Sequence, residues 1–91
     1  MRDFPVRSPL QMAQLLVAFR KARKLTQRDL AGRLGTTQQA VSRLERDATG
    51  VSVDRLMKVL SVLGVELVFH DKEPAEVAEP KGRPRRRGVD W

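Results

Sequence analysis

The chain has no cysteine and no tyrosine, a single histidine (His70) and a single tryptophan (Trp91). Without thiols it forms no disulfide and builds no thiolate metal site. His70 alone gives no acid, base or nucleophile constellation, so no enzyme activity, no metal and no cofactor are expected. A run of ~20 apolar residues is missing, and the N-terminus lacks the basic start and apolar core of a signal peptide. A cytoplasmic chain with no membrane partner is therefore expected. Acidic residues are scarce as well: 11 Asp and Glu stand against 18 Lys and Arg, a formal net charge of +7 in 91 residues. That length supports one small core, and the positive excess favours a polyanionic partner, nucleic acid first.

What the chain does have is concentrated between Thr26 and Glu45. Thr26 is an N-cap residue, and Asp29 three positions later completes a capping-box pattern at the positive end of the helix dipole. Leu30, Ala31 and Leu34 make a buried stripe, with Ala31 small enough for a second helix to cross closely. Gly35 follows where a helix ends in the left-handed conformation. Thr36 or Thr37 caps the next helix, and Val41 and Leu44 form its inward face. Thr37, Gln38, Gln39, Ser42 and Arg43 are left facing outward or along the edge. Two short helices about a tight turn, with amides, hydroxyls and a guanidinium displayed on the second, form a helix-turn-helix. This unit lays its second helix in the DNA major groove. Any amphipathic helical hairpin has a polar outer face, but the order cap, alanine, glycine, cap and paired glutamines is more specific than that. Around it lie Arg20, Lys21, Arg23, Lys24, Arg28, Arg33, Arg43 and Arg46 against Asp29 and Glu45. Of these, Arg23, Lys24, Arg28 and Arg46 are the phosphate-contact candidates.

Four segments follow from the rest of the pattern: a leader over 1–8, a helix-turn-helix domain over 9–64, a strand over 65–71 and a disordered basic tail over 72–91. Ser8-Pro9 starts a first helix, since proline at the first position loses no hydrogen bond. That helix runs to about Arg23 and buries Met12, Leu15, Leu16, Phe19 and Ala22. Asp47 to Gly50 form a loop. Ser52 caps a fourth helix with Val53, Leu56, Met57, Val59, Leu60 and Leu63 in its stripe, ending at Gly64. From Val65 to Asp71 the apolar residues alternate, with Val65, Leu67 and Phe69 on one face, as in a strand. Its partner is either the leader at Asp3–Val6 or the same strand of a second subunit, which would build a two-fold homodimer in one step. His70 is read as a structural or surface residue. The tail, rich in Pro, Glu, Lys, Arg and Gly, carries the run Lys81-Gly82-Arg83-Pro84-Arg85-Arg86-Arg87 and ends on Trp91. Trp91 is either incidental or an anchor for a pocket on a partner protein.

Gln27, Ala31, Gly35, Gln38, Gln39 and Val41 fall at motif positions of the Xre/Cro/C1-type repressors, which the segment from about residue 9 to 64 closely resembles. Four further features match the HipB-type antitoxins of that family over the whole chain: Ser8-Pro9, the Thr26-Gln27 start, the apolar strand after the fourth helix, and the tail ending in Trp91. The resemblance implies a mostly α, lambda-repressor-like domain of four helices. It also implies a β-strand paired across a homodimer, an inverted-repeat operator in double-stranded DNA, autorepression, and a HipA-like serine/threonine kinase toxin as partner. By position, Gln27 would hold a phosphate, and Thr37, Gln38, Gln39, Ser42 and Arg43 would face the major groove. Such a protein would be associated with the nucleoid. The rival readings are a stand-alone Xre-family or phage-type repressor without a toxin, and an interaction module that does not read DNA.

Overall fold

A computed structural model describes residues 2–73 as four helices: α1 (Pro9–Ala22), α2 (Gln27–Leu34), α3 (Gln38–Arg46) and α4 (Val53–Leu63). Every helix opens on a side-chain cap. Ser8, Thr26, Thr37 and Ser52 accept from the amides of Gln11, Asp29, Ala40 and Arg55 respectively. Each cap satisfies one of the amides that a helix start leaves without a partner. Thr37, rather than Thr36, caps α3. α2 and α4 end the same way, on Gly35 (φ 71°) and Gly64 (φ 73°), each in the left-handed region. The next amide then reaches back five residues, Thr36 to Ala31 at 3.0 Å and Val65 to Leu60 at 2.9 Å. This closure needs a residue without a Cβ penalty, which is why both positions are glycine.

The core joins all four helices: Ala13 and Leu16 from α1, Leu30 and Ala31 from α2, Val41 and Leu44 from α3, and Val59, Leu60 and Leu63 from α4, with Ala48 from the α3–α4 loop. α2 packs on α3 and α4, and α1 packs on α3 and α4. Ala31 is 4% exposed at this junction, as the close crossing requires.

Several packing expectations change. On α1 the most deeply buried apolar residues are Ala13 and Leu16, whereas Met12, Leu15 and Phe19 are half-buried and Ala22 is exposed. Arg20 occupies the buried stripe instead, one turn beyond Leu16. On α4, Val53 and Met57 are 72% and 47% exposed, because they lie on the flank turned away from α1 and α2. Residues 65–71 are the main difference. They leave α4 as non-helical chain and form no ladder with the leader or with any other described residue. The physical reason is that a strand needs a second strand, and none is present among the described residues. Phe69 is 93% exposed there, with Val68 and Leu67 also on the surface. The leader folds back on α1 instead: Phe4 meets Phe19 edge-on at 5.4 Å, and the Arg7 amide donates to Gln11 Oε1 at 2.6 Å. The expected tail, with its basic run and Trp91, lies beyond Glu73 and so outside the described residues.

Candidate nucleic-acid interface

α3 is amphipathic in the simplest way. Val41 and Leu44 are buried, and at 100° per residue Gln39, Arg43 and Arg46 lie on the opposite side. Gln38 and Ser42 occupy the flank shared with Glu45. Thr37, Gln38, Gln39 and Arg43 are exposed, and Ser42 is half-buried. Thr37 Oγ1 accepts from the Ala40 amide at 3.1 Å, which fixes the helix start and leaves the hydroxyl hydrogen as a donor. Four of the five candidate base-reading residues therefore sit on one short helix and the fifth, Thr37, caps it, with donors and acceptors both represented. That mixture suits base edges in the major groove, where amides match adenine and guanidinium matches guanine.

The second set of candidates lies before and at the start of α2. Thr26 and Asp29 make the full capping box, the Thr26 amide donating to Asp29 Oδ2 and the Asp29 amide to Thr26 Oγ1, both at 2.9 Å. The hydrogen bond from the Thr26 backbone lowers the Asp29 carboxyl below its ordinary 3.8, helped by the Thr26 side chain and by the charges of Arg33 and Arg28. Arg28 and Lys24 are exposed. Lys24 takes φ 59°, a left-handed conformation that lets the chain turn sharply out of α1.

Three residues behave differently from the sequence-based expectation. Arg23 Nε donates to the Leu63 carbonyl at 2.8 Å, closing the C-terminal end of α4, so only its Nη groups remain for a phosphate. Gln27 Nε2 donates to Glu45 Oε1 at 3.0 Å, tying the first residue of α2 to the last turn of α3. Arg20, counted above only as surface charge, forms a two-pronged pair with Glu45, Nε to Oε2 at 2.7 Å and Nη2 to Oε1 at 3.0 Å. It also donates from Nη1 to the Leu25 carbonyl at 2.8 Å. The signal for this pair was present in the sequence: Arg20 is four residues past Leu16 and Glu45 four past Val41, so each continues a buried stripe.

Among the described residues no group of His, Asp and Glu side chains is arranged to hold a metal ion. No described helix is long and apolar enough to cross a membrane. Below α4 a shallow groove of about 500 Å³ is lined by Met57, Leu60, Ser61, Gly64, Val65, Glu66 and Leu67. Leu67 in its lining is one of the exposed apolar residues of the 65–71 segment.

A family model described as helix-turn-helix (HTH_3) matches residues 16–69. An uncharacterized HTH-type transcriptional regulator, y4dL, of Sinorhizobium fredii (strain NBRC 101917 / NGR234) is 36% identical over 62 residues, 68% of this chain and 32% of that protein. The chain thus spans about a third of the length of this curated relative. Among solved structures, a HipB variant in an O2 20mer complex superposes with a TM-score of 0.71 at 24% identity, over 79% of this chain and all of that one. A HipA-HipB-O2-O3 complex gives 0.71 at 24% identity, over 78% of this chain and all of the matched chain. A HipB-O1-O2 complex gives 0.70 at 25% identity, over 76% and all. At such identities the likeness speaks to the fold.

Proposed function

The chain belongs to the helix-turn-helix family, and from that premise we propose that it is a sequence-specific DNA-binding transcriptional repressor acting as a HipB-type antitoxin. In this reading it represses its own operon and binds a HipA-like serine/threonine kinase. The observation that carries the DNA-binding part is the surface of α3: Gln39 and Arg43 displayed opposite a buried Val41 and Leu44, with Gln38 and Ser42 on the adjoining flank, on a helix whose start is fixed by Thr37. Gln38 pairs with an adenine edge, Arg43 with guanine or a phosphate, and Thr37, Gln39 and Ser42 complete the reading surface. Gln27, Lys24, Arg28, Arg46 and the Nη groups of Arg23 hold the flanking phosphates, which set register without reading sequence.

The homodimer is supported by a second observation. Met57 and Leu67 are exposed apolar residues lining the groove under α4, and Val53, Val68 and Phe69 of the same two segments are exposed as well. Residues 65–71 pair there with their own copy across a two-fold axis, through Val65, Leu67 and Phe69, and the dimer reads an inverted repeat. The antitoxin part rests on the likeness to HipB, one of whose structures is a complex with HipA, and on Trp91 as an aromatic anchor for a pocket on the partner. The runner-up is a stand-alone repressor without a toxin partner; a kinase reading frame beside this gene separates the two.

Selection of duplexes from a random pool, followed by titration of single base-pair changes, tests the base-reading role. Gln38→Ala is expected to cost about 1–3 kcal/mol and to relax preference at one base pair per half-site. Equal weakening on selected and scrambled duplexes would reduce Gln38 to a positioning contact.

A further inference from the structure

Glu45 is the one acidic residue of α3. On a helix that enters a DNA groove, a free carboxylate would repel the phosphates on either side. Here it is answered from within: Arg20 approaches both carboxylate oxygens, at 2.7 and 3.0 Å, and the two side chains are only 10% and 5% exposed. The same carboxylate takes a third hydrogen bond, from Gln27 Nε2 at 3.0 Å. A carboxylate only accepts, so the amide must present its nitrogen to Glu45 and its plane is fixed. An amide nitrogen carries two N–H groups. One is directed to Glu45, and the second is left with a set direction at the first residue of α2, at the positive end of that helix.

We infer that Glu45 is a positioning residue: with its charge cancelled by Arg20, it holds Gln27 so that the second amide N–H meets a backbone phosphate beside the groove occupied by α3. The inference rests on the DNA-binding reading above. A glutamine held in place before binding has little rotamer freedom left to lose on contact. The arrangement links three elements at one atom pair. Arg20 brings α1 and, through Leu25, the α1–α2 connection; Gln27 brings α2; Glu45 brings the reading helix. The phosphate contact and the base contacts are thereby held at a fixed spacing.

The test uses the full chain and a duplex selected for binding to it. Each backbone phosphate of the duplex is replaced in turn by an uncharged methylphosphonate. Four proteins are compared: wild type, Gln27→Ala, the paired replacement Arg20→Met with Glu45→Leu, and all three changes together. Replacing both charges avoids leaving one buried and alone. In the wild-type background, Gln27→Ala should weaken binding roughly two- to tenfold per half-site, the size of one hydrogen bond. It should also abolish the penalty at one methylphosphonate position. In the paired-replacement background, Gln27→Ala should cost almost nothing, and the penalty at that same position should already be gone while the others remain. A purely structural role for the pair would weaken all positions alike and overturn the inference. So would an equal cost of Gln27→Ala in both backgrounds, or no cost in the wild type; in either case the base-reading proposal stands. Failure of the wild-type chain to select any duplex would instead remove the DNA-binding reading itself. If the paired replacement does not fold, nitrogen relaxation of the Gln27 side-chain amide in the unmodified free chain decides. An amide as rigid as the α2 backbone supports the inference, and a freely averaging one overturns it.

Discussion

Arg20→Ala isolates what the buried pair contributes to stability. The guanidinium makes two bonds to Glu45 and one to the Leu25 carbonyl, so its loss leaves Glu45, whose side chain is 5% exposed in the intact pair, with Gln27 as its remaining side-chain donor. Removing one partner of a buried pair costs about 3–5 kcal/mol, because the other charge remains desolvated. At roughly 0.05–0.15 kcal/mol per residue, a domain of this size has a total stability of about 4–11 kcal/mol. The substitution therefore removes a large share of it, and at ~4–8 °C per kcal/mol the midpoint of thermal unfolding should fall by at least ~12 °C. The paired replacement Arg20→Met with Glu45→Leu should lie much nearer the wild type, since no uncompensated charge is left. Calorimetry and urea titration of the three chains, with the singles Arg20→Met and Glu45→Leu completing a double-mutant cycle, measure the coupling. A drop below ~4 °C for Arg20→Ala would refute the argument and give the pair the ~0–1 kcal/mol of a solvated surface contact.

For assembly, Leu67→Pro should lower the sedimenting mass toward a monomer by removing a ladder amide, and Phe69→Asp should do the same by charging the patch; unchanged dimers would move the interface elsewhere. In acid, Asp29 and Asp47 have folded-state carboxyls held below their ordinary 3.8, by Thr26 and by the Thr49 hydroxyl respectively. Their contribution is complete above the unfolded-state value and lost as pH falls below it through the lower folded value. Asp29→Asn should therefore flatten the stability profile below about pH 4, and an unchanged slope would show the capping box to be energetically idle. For the tail, deletion of residues 72–91 should weaken binding to a HipA-like kinase in calorimetry, with Trp91→Ala reproducing much of the loss and DNA affinity largely kept. Equal kinase affinity for both chains would place that interface on the body.

The helix boundaries were legible because they are written in local chemistry. Ser8-Pro9, Thr26 with Asp29, Thr37, Ser52, Gly35 and Gly64 each act within a few residues, and each does so in the structure. The displayed face of α3 was legible for the same reason. Arg20 and Glu45 were legible only as residues that continue two buried stripes; their pairing was not, because a pair 25 positions apart is decided by how α1 crosses α3, and charged residues are ordinarily left in water. The bond from Arg23 Nε to the Leu63 carbonyl, 40 positions away, was not legible either, since the charge of Arg23 gives no sign of it. The strand over 65–71 was legible as alternation but does not appear as a ladder, since pairing depends on a second strand that the described residues do not provide. Val53 and Met57 were placed in the core by the helical period, which identifies an apolar flank without saying whether this chain or another copy covers it.

The bond from Arg23 to Leu63 has a consequence for phasing along the double helix. It fastens the end of α4 to the C-cap of α1, so the chain departs toward residues 65–71 from a point braced against the helix that packs on α3. Two heads joined through that segment behave like a caliper with a stiff hinge. Moving the half-sites apart by about 5 bp turns one of them to the far side of the duplex, where a stiff caliper reaches only one jaw, while a full turn of about 10 bp restores the facing but not the span. Loosening that joint by Arg23→Ala should widen the range of separations tolerated while leaving the bases preferred within each half-site unchanged.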